Sequence, residues 1–392
     1  MNAVAKQGDT AEARQAVRGK TLIDYRLPMA APDIRDEDID AVAEALRSGM
    51  LSQGPFTRRF EAAFAAYIGV TDAIAVSSGT SALHLCIRAA GIGEGDEVIT
   101  SPFGYIASAN CILFERGTPV FVDIDEETMN IDPRLVPGAV TERTRALLPV
   151  HVFGQPCAMG ELQSACKAHD LFLIEDACEA VGAEYEGRKI GTFGHFAVFS
   201  FFPNKQMTTG EGAMITCGDA CTGDLLRSLR NQGREEGGPW LKHVRLGYNY
   251  RMTELSAALG VTQLARLEEM LSMREKVARL YKNRFEAMSG IRLIEPSPST
   301  TRLSWFAAIA RLDPAFDRDV VITRLEALGI PARAYFAPLH LQPVYRQLFG
   351  FEVGDFPIAE RVARTTLALP FHNAMTERQV GMVCEALEQV LT

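Results

Sequence analysis

Asp176 and Lys205 are the residues of this 392-residue chain best placed to do chemistry. Asp176 follows Glu175 at the end of Leu171–Ile174, an apolar run of strand length. Lys205 comes just after a second such run, Phe196–Phe201, within Pro203-Asn204-Lys205 and ahead of a Thr-Thr-Gly-Glu-Gly bend. A lysine at the end of a buried strand is partly desolvated, which frees its amine for attack on a carbonyl. An acid and a lysine meeting at strand ends suit pyridoxal phosphate, which needs a Schiff-base lysine and an acidic partner for its pyridine nitrogen. A lysine beside a Gly-rich turn is more often only a solvated loop residue, so the wider pattern has to decide.

Two further groups follow strand-like runs. After Ala73–Val76, the sequence Ser77-Ser78-Gly79-Thr80-Ser81 opens a helix that continues to Ala90. Free backbone N–H groups at a helix start bind anions, so Gly79, Thr80 and Ser81 are candidates for a phosphate, although the same residues also serve as a plain helix cap. After Glu97–Thr100 comes Ser101-Pro102-Phe103-Gly104-Tyr105. His84, inside the helix, reads as packed rather than catalytic.

The elements that must carry these residues alternate. Residues 33–48 read as a helix with acids in its first turn, stopped by Gly49. Leu51–Phe56 is a connector, and Thr57 is placed to cap a helix reaching Ile68. Pro119–Asp123 and Arg145–Val150 are strands, separated by a short helix near Pro133–Val140; a helix near Asp219–Asn231 comes later. This rhythm indicates βαβ units and a mostly parallel sheet with helices on both faces, where ligands bind beyond the carboxyl ends of the strands. Gln232–Arg251 is polar, Gly-rich and irregular. Helical pattern resumes over Met252–Met288, with room for a break, and strands and helices follow at Arg292–Ile294, Ser304–Arg311, Val320–Leu328 and Thr376–Val390. The expected architecture is α/β: an N-terminal arm over 1–25, a large domain over 26–265, and a small C-terminal α+β domain with its connecting helix over 266–392.

Composition narrows the function. A net charge of −9 argues against a nucleic-acid surface, and the apolar runs are far shorter than the roughly 20 residues of a membrane span. Residues 1–20 mix both charge signs without an apolar core, unlike a signal or transit peptide, so a cytoplasmic protein is expected. The eight cysteines are scattered in the manner of reduced, buried thiols, and the nearest pair, Cys217 and Cys221, has no second pair to complete a metal site.

With LSQGPF, SSGTSALHL, PVFVDIDEETMNIDP, PVHVFGQP, EDACEA, FSFFPNKQMTTGEGA, GYNYRM and APLHLQP in this order, the chain resembles the pyridoxal-phosphate-dependent sugar aminotransferases of the DegT/DnrJ/StrS type, fold type I, over about residues 26–390. The resemblance implies that Lys205 carries the cofactor, Asp176 faces its ring nitrogen, Tyr105 stacks on the ring, and Thr80, Ser81 and Ser200 bind its phosphate. Glu179, where many members have Gln, falls near the cofactor's O3′ side, and Asn249 reaches the phosphate of a neighbouring subunit in a homodimer with shared sites. Ala213 and Gly104 depart from the family's commoner residues. The family's reaction moves an amino group from L-glutamate or glutamine to a nucleotide-linked keto-sugar in polysaccharide or amino-sugar biosynthesis; a 4-keto-6-deoxyhexose is the expected acceptor. Arg234, Lys242, Arg245 and Arg251, in or beside the irregular loop, are candidates to supply cations for a diphosphate, the alternative being that they are solvated or pair with Glu235 and Glu236, and His340 lies in a second polar stretch, Phe336–Gln342. Neighbouring readings are a cyclitol or 3-keto-sugar aminotransferase, an aminohydroxybenzoate pathway enzyme, or a cofactor-binding regulator without turnover. Lys205 argues against the relatives that carry histidine there and act as dehydratases.

Overall fold

Strand-length apolar runs such as Phe196-Ala-Val-Phe199 have no polar face, so they are stable only when covered on both sides. A computed structural model describes residues 25–392 except Glu236 and Trp240; the expected N-terminal arm, Tyr25 apart, lies outside the described residues. In chain order the elements are α1 (Asp36–Ser48), α2 (Pro55–Ile68), β1 (Asp72–Val76), α3 (Gly79–Ala89), β2 (Glu97–Thr100), α4 (Ala107–Phe114), β3 (Thr118–Phe121), α5 (Val136–Ala139), β4 (Thr144–Leu148), α6 (Met159–His169), β5 (Phe172–Asp176), β6 (Glu184–Tyr185), β7 (Arg188–Lys189), β8 (Phe196–Ser200), β9 (Ala213–Cys217) and α7 (Ala220–Arg230). After the loop come α8 (Glu254–Ala265), α9 (Leu267–Phe285), β10 (Ile291–Leu293), β11 (Thr300–Arg302), β12 (Ala308–Leu312), α10 (Arg318–Ala327), α11 (Pro343–Phe349), α12 (Pro357–Thr365), β13 (Thr366–Leu369) and α13 (Glu377–Leu391).

A seven-stranded sheet in the order β1-β9-β8-β5-β4-β2-β3 forms the centre. β3, β2, β4, β5 and β8 run parallel, while β9 is antiparallel to both of its neighbours, β8 and β1. The sheet is thus mostly parallel, as expected. The period-2 alternation of β8 distributes its side chains: Ala197 and Phe199 join one buried cluster, Phe196 and Val198 the other. On the first face, Phe64 of α2 packs edge-on to Phe199 at 5.2 Å and to Phe201 at 5.6 Å. Each such ring contributes about 2–3 kcal/mol by leaving water.

A smaller antiparallel sheet, β10-β12-β13, packs with α9, α10 and α13 around a core that includes Tyr281, Leu325, Leu369 and Leu387. The long helical pattern after Met252 is two helices, broken at Arg266, whose guanidinium reaches Asp38 at 2.6 Å and Asp33 at 3.3 Å. No helix among the described residues is long and apolar enough to cross a membrane.

One local expectation is corrected. Thr57 does not cap α2; the helix begins at Pro55, and its first amides are held by the distant Glu254, whose carboxylate accepts from Phe56 N at 2.8 Å and Thr57 N at 3.1 Å. Gly54 leaves room for that carboxylate, since a Cβ there would lie 2.7 Å from Glu254 Oε2.

Candidate active site

β1, β2, β5 and β8 all point the same way, so the residues that follow them share one edge of the sheet. Lys205 is there, with its amide donating to Phe202 O at 2.9 Å. Its side chain is 12% exposed, with Nζ 3.3 Å from Glu179 Oε1 and 4.1 Å above the Phe306 ring. Glu179 Oε2 accepts from Phe153 N at 2.9 Å; burial pushes its carboxyl up from the ordinary range, and Lys205 opposes that shift.

The adjacent carboxylates of β5 part company. Strand alternation turns Glu175 into the protein, where it accepts from the amides of Gly191, Phe193 and Gly194 and pairs with His151 Nε2 at 3.3 Å. His151 Nδ1 accepts from Cys157 N, which leaves Nε2 to donate. Asp176 keeps a different company: Ser108 Oγ donates to its Oδ2 at 2.5 Å and Cys178 N to its Oδ1 at 3.1 Å. Two hydrogen bonds aimed at one carboxylate fix its orientation.

At the start of α3, Ser78 caps the helix by accepting from Ser81 N at 3.2 Å. The amides of Gly79 and Thr80 belong to the first turn, where the helix supplies no acceptor of its own. Gly79 is where Ser200, at the end of β8, comes close: a Cβ there would meet Cys178 Sγ at 3.2 Å and Ser200 Cβ at 3.3 Å. The Ser81 hydroxyl is buried in the cap, donating to Ser78 O at 2.8 Å and accepting from Ser78 N at 3.0 Å.

Tyr105 is 64% exposed on the loop after β2. Its neighbour Phe103 packs edge-on to Phe153 and Phe336, and Phe336 stacks on Tyr335 at 4.9 Å. Tyr335 in turn lies parallel to Phe306 at 6.4 Å, so an aromatic run joins the Tyr105 loop to the ring beneath the lysine. Sequence reading missed Ser108, Phe153, Phe306 and Tyr335; each comes from a segment remote in sequence, and none carries a local signal.

Asn249 is exposed, on a segment that borders the end of β1 through Tyr250 O, which accepts from Ser77 N at 2.8 Å. Tyr248 and Tyr250 on either side are tied down: Tyr248 donates to Glu115 at 2.5 Å, and Tyr250 bonds to His84 at 3.0 Å. His84 is accordingly packed. A cavity of about 240 Å³ opens beside α7, lined by Gln53, Arg230, Asn231, Arg234 and Leu241 among others. Lys242 pairs with Glu235 at 2.5 Å, Arg245 is exposed, and Arg251 donates to Asn231 at 3.0 Å. His340 is fully buried, bonds to Glu360 at 3.1 Å, and packs edge-on to Phe356 at 4.8 Å.

A model of the DegT/DnrJ/EryC1/StrS aminotransferase family matches residues 32–388. The chain belongs to this family. The aminotransferase is 42% identical to the GDP-perosamine synthase of Caulobacter vibrioides, over 93% of this chain and 98% of that one. It is 40% identical to the spore coat polysaccharide biosynthesis protein SpsC of Bacillus subtilis, over 93% and 97%. Among solved structures, DesV of S. venezuelae in complex with a ketimine intermediate superposes with a TM-score of 0.85 at 37% identity, covering 90% of this chain and 94% of that one. The PLP form of Streptococcus pneumoniae Spr1654 superposes with a TM-score of 0.88 at 28% identity, over 93% and 98%.

The aminotransferase is a fold type I enzyme that uses pyridoxal 5′-phosphate. Its own residues fit that group. The strand-end edge offers a mostly buried primary amine, a carboxylate oriented by two donors, and a helix start brought close to Ser200 at a glycine where a Cβ would be tightly packed.

Proposed function

We propose that this sugar aminotransferase takes its amino group from L-glutamate or glutamine and delivers it to a nucleoside-diphosphate 4-keto-6-deoxyhexose, as a cytoplasmic homodimer serving surface polysaccharide or amino-sugar biosynthesis. The observation that carries the reading is the Lys205 amine, held between Glu179 and the Phe306 ring at the edge where Asp176 also lies. The two relatives with named sugar or polysaccharide roles support the acceptor class.

Pyridoxal phosphate supplies a conjugated ring that takes up the electrons released when a substrate C–H bond breaks. Asp176, held by Ser108 and the Cys178 amide, would face the ring nitrogen and hold a proton on it. Lys205 would hold the cofactor through its Nζ, and the same amine, when free, would take the proton from the substrate carbon and return it. Glu179 holds that amine in place between turns. The Gly79 and Thr80 amides and the Ser200 hydroxyl would hold the phosphate, and Tyr105 would cover the ring. Asn249, flanked by its pinned tyrosines, would reach the phosphate held by the second subunit, and the site would then be composite. The cavity beside Arg234, with Lys242 and Arg245 on the same loop, receives the sugar diphosphate.

A panel of nucleotide keto-sugars offered to the aminated enzyme tests the acceptor. A 4-keto-6-deoxyhexose nucleotide is expected to react fastest. Equal activity on a free cyclitol ketone or an unphosphorylated sugar would defeat the reading.

A further inference from the structure

Arg274, on α9, is a guanidinium in an unusual place. It is 2% exposed, and burial alone lowers it to about 10. Among the described residues no carboxylate pairs with it; its partners are three backbone carbonyls. Nη2 donates to Lys205 O at 3.0 Å, while Nη1 donates to Phe306 O at 3.1 Å and Trp305 O at 3.2 Å. The Phe371 ring lies 5.4 Å from its Cζ.

Burying a charge without a counter-ion is costly, and carbonyl dipoles with one aromatic face offset only part of that cost. The three carbonyls belong to two segments separated by about a hundred residues, and those segments are the two that enclose the amine: one carries Lys205, the other the Phe306 ring beneath Nζ. The planar fork of an arginine binds both at once, in fixed relation, which a flexible ammonium does less well.

We propose that Arg274 is a positioning residue for Lys205, registering the lysine's backbone against the ring that supports its amine. The inference rests on the reading that Lys205 carries the cofactor. Arg274 bonds to backbone and not to the amine itself; it acts by holding the amine where proton transfer requires it, and small displacements there are expensive in rate.

The test uses the full-length protein with Arg274→Met and Arg274→Lys. In Arg274→Met, amide hydrogen exchange measured by mass spectrometry is expected to quicken about tenfold or more in peptides spanning 201–209 and 303–308, the equivalent of losing one charge-assisted hydrogen bond, with the β4 peptide unchanged. The induced circular dichroism of the bound cofactor should fall, and kcat should drop about ten- to a hundredfold with the KM for the amino donor nearly constant. Arg274→Lys is expected to fall between wild type and Arg274→Met on every readout. Where Arg274→Met fails to fold, Arg274→Lys decides alone: faster exchange confined to the same two segments supports the role, and exchange, dichroism and kcat equal to wild type overturn it. A folded Arg274→Met with unchanged exchange at 201–209 and an unchanged cofactor signal, or with loosening spread evenly over the chain, also overturns it. Lys205→Ala separates the two claims. If it keeps the cofactor absorbance, the underlying reading fails; if it loses that absorbance while the Arg274 variants behave as wild type, only this inference fails.

Discussion

Lys205 Nζ lies 3.3 Å from Glu179 Oε1, and the other oxygen of that carboxylate is held by the Phe153 amide. Glu179 therefore links the amine to backbone that cannot move freely, since Phe153 is 1% exposed and packed among aromatic rings. Glu179→Gln can still accept from that amide, whereas Glu179→Ala leaves a buried donor unpaired. Denaturant melts should show Glu179→Ala losing about 1–3 kcal/mol and Glu179→Gln well under that. Equal losses would mean that the Phe153 bond contributes nothing.

Ser108→Ala removes the shorter of the two hydrogen bonds to Asp176 while leaving the strand intact. A loss of about 1–2 kcal/mol of transition-state stabilisation is expected, read as a kcat roughly five- to thirtyfold lower in single-turnover kinetics with glutamate. An unchanged kcat would show that Asp176 is oriented well enough by Cys178 N alone.

The proposed composite site predicts the outcome of a complementation experiment. Lys205→Ala and Asn249→Ala subunits, each inactive or weak when alone, should regain activity when mixed and allowed to exchange, because one site of the hybrid has both residues. Verified exchange without recovery would place Asn249 outside the partner's site.

Glu126 joins the loop after β3 to the C-terminal elements through Arg361 at 2.6 Å and Arg311 at 3.1 Å. Those arginines, Arg361 foremost, pull its carboxyl from the usual 4.5 down to about 2. A lowered carboxyl stabilises the fold above its unfolded value, and that contribution fades as the pH falls through the folded one. Glu126→Gln should therefore lower stability by at most about 1 kcal/mol near pH 6, given solvent screening of a carboxylate 38% exposed. The gap from wild type should shrink between about pH 4.5 and pH 2. A gap that stays constant over this range would assign the effect to packing.

The sheet was legible because its strands are short apolar runs whose following residues, Gly79, Tyr105, Asp176 and Lys205, are chemically distinctive. What the strand pattern could not show was direction and partner. Glu175 and Asp176 look equivalent in sequence, and only the pleat separates a carboxylate wrapped in amides from one facing the edge. Thr57 had the right type to cap α2, yet Glu254, almost two hundred residues later, holds those amides. His340 sat in a polar, irregular stretch, but Glu360 and Phe356 enclose it. Phe306 and Arg274, which support the lysine from beneath and behind, read in sequence as an ordinary strand-flanking aromatic and an ordinary helix arginine.

The most direct measurement is the visible absorbance of purified Lys205→Ala after incubation with pyridoxal phosphate and gel filtration, beside wild type treated alike. The expected result is that wild type keeps a cofactor band that bleaches with L-glutamate, while the variant shows neither the lysine-linked band nor turnover. A variant that retains both would contradict the assignment of Lys205 and with it the site built around Glu179 and Phe306.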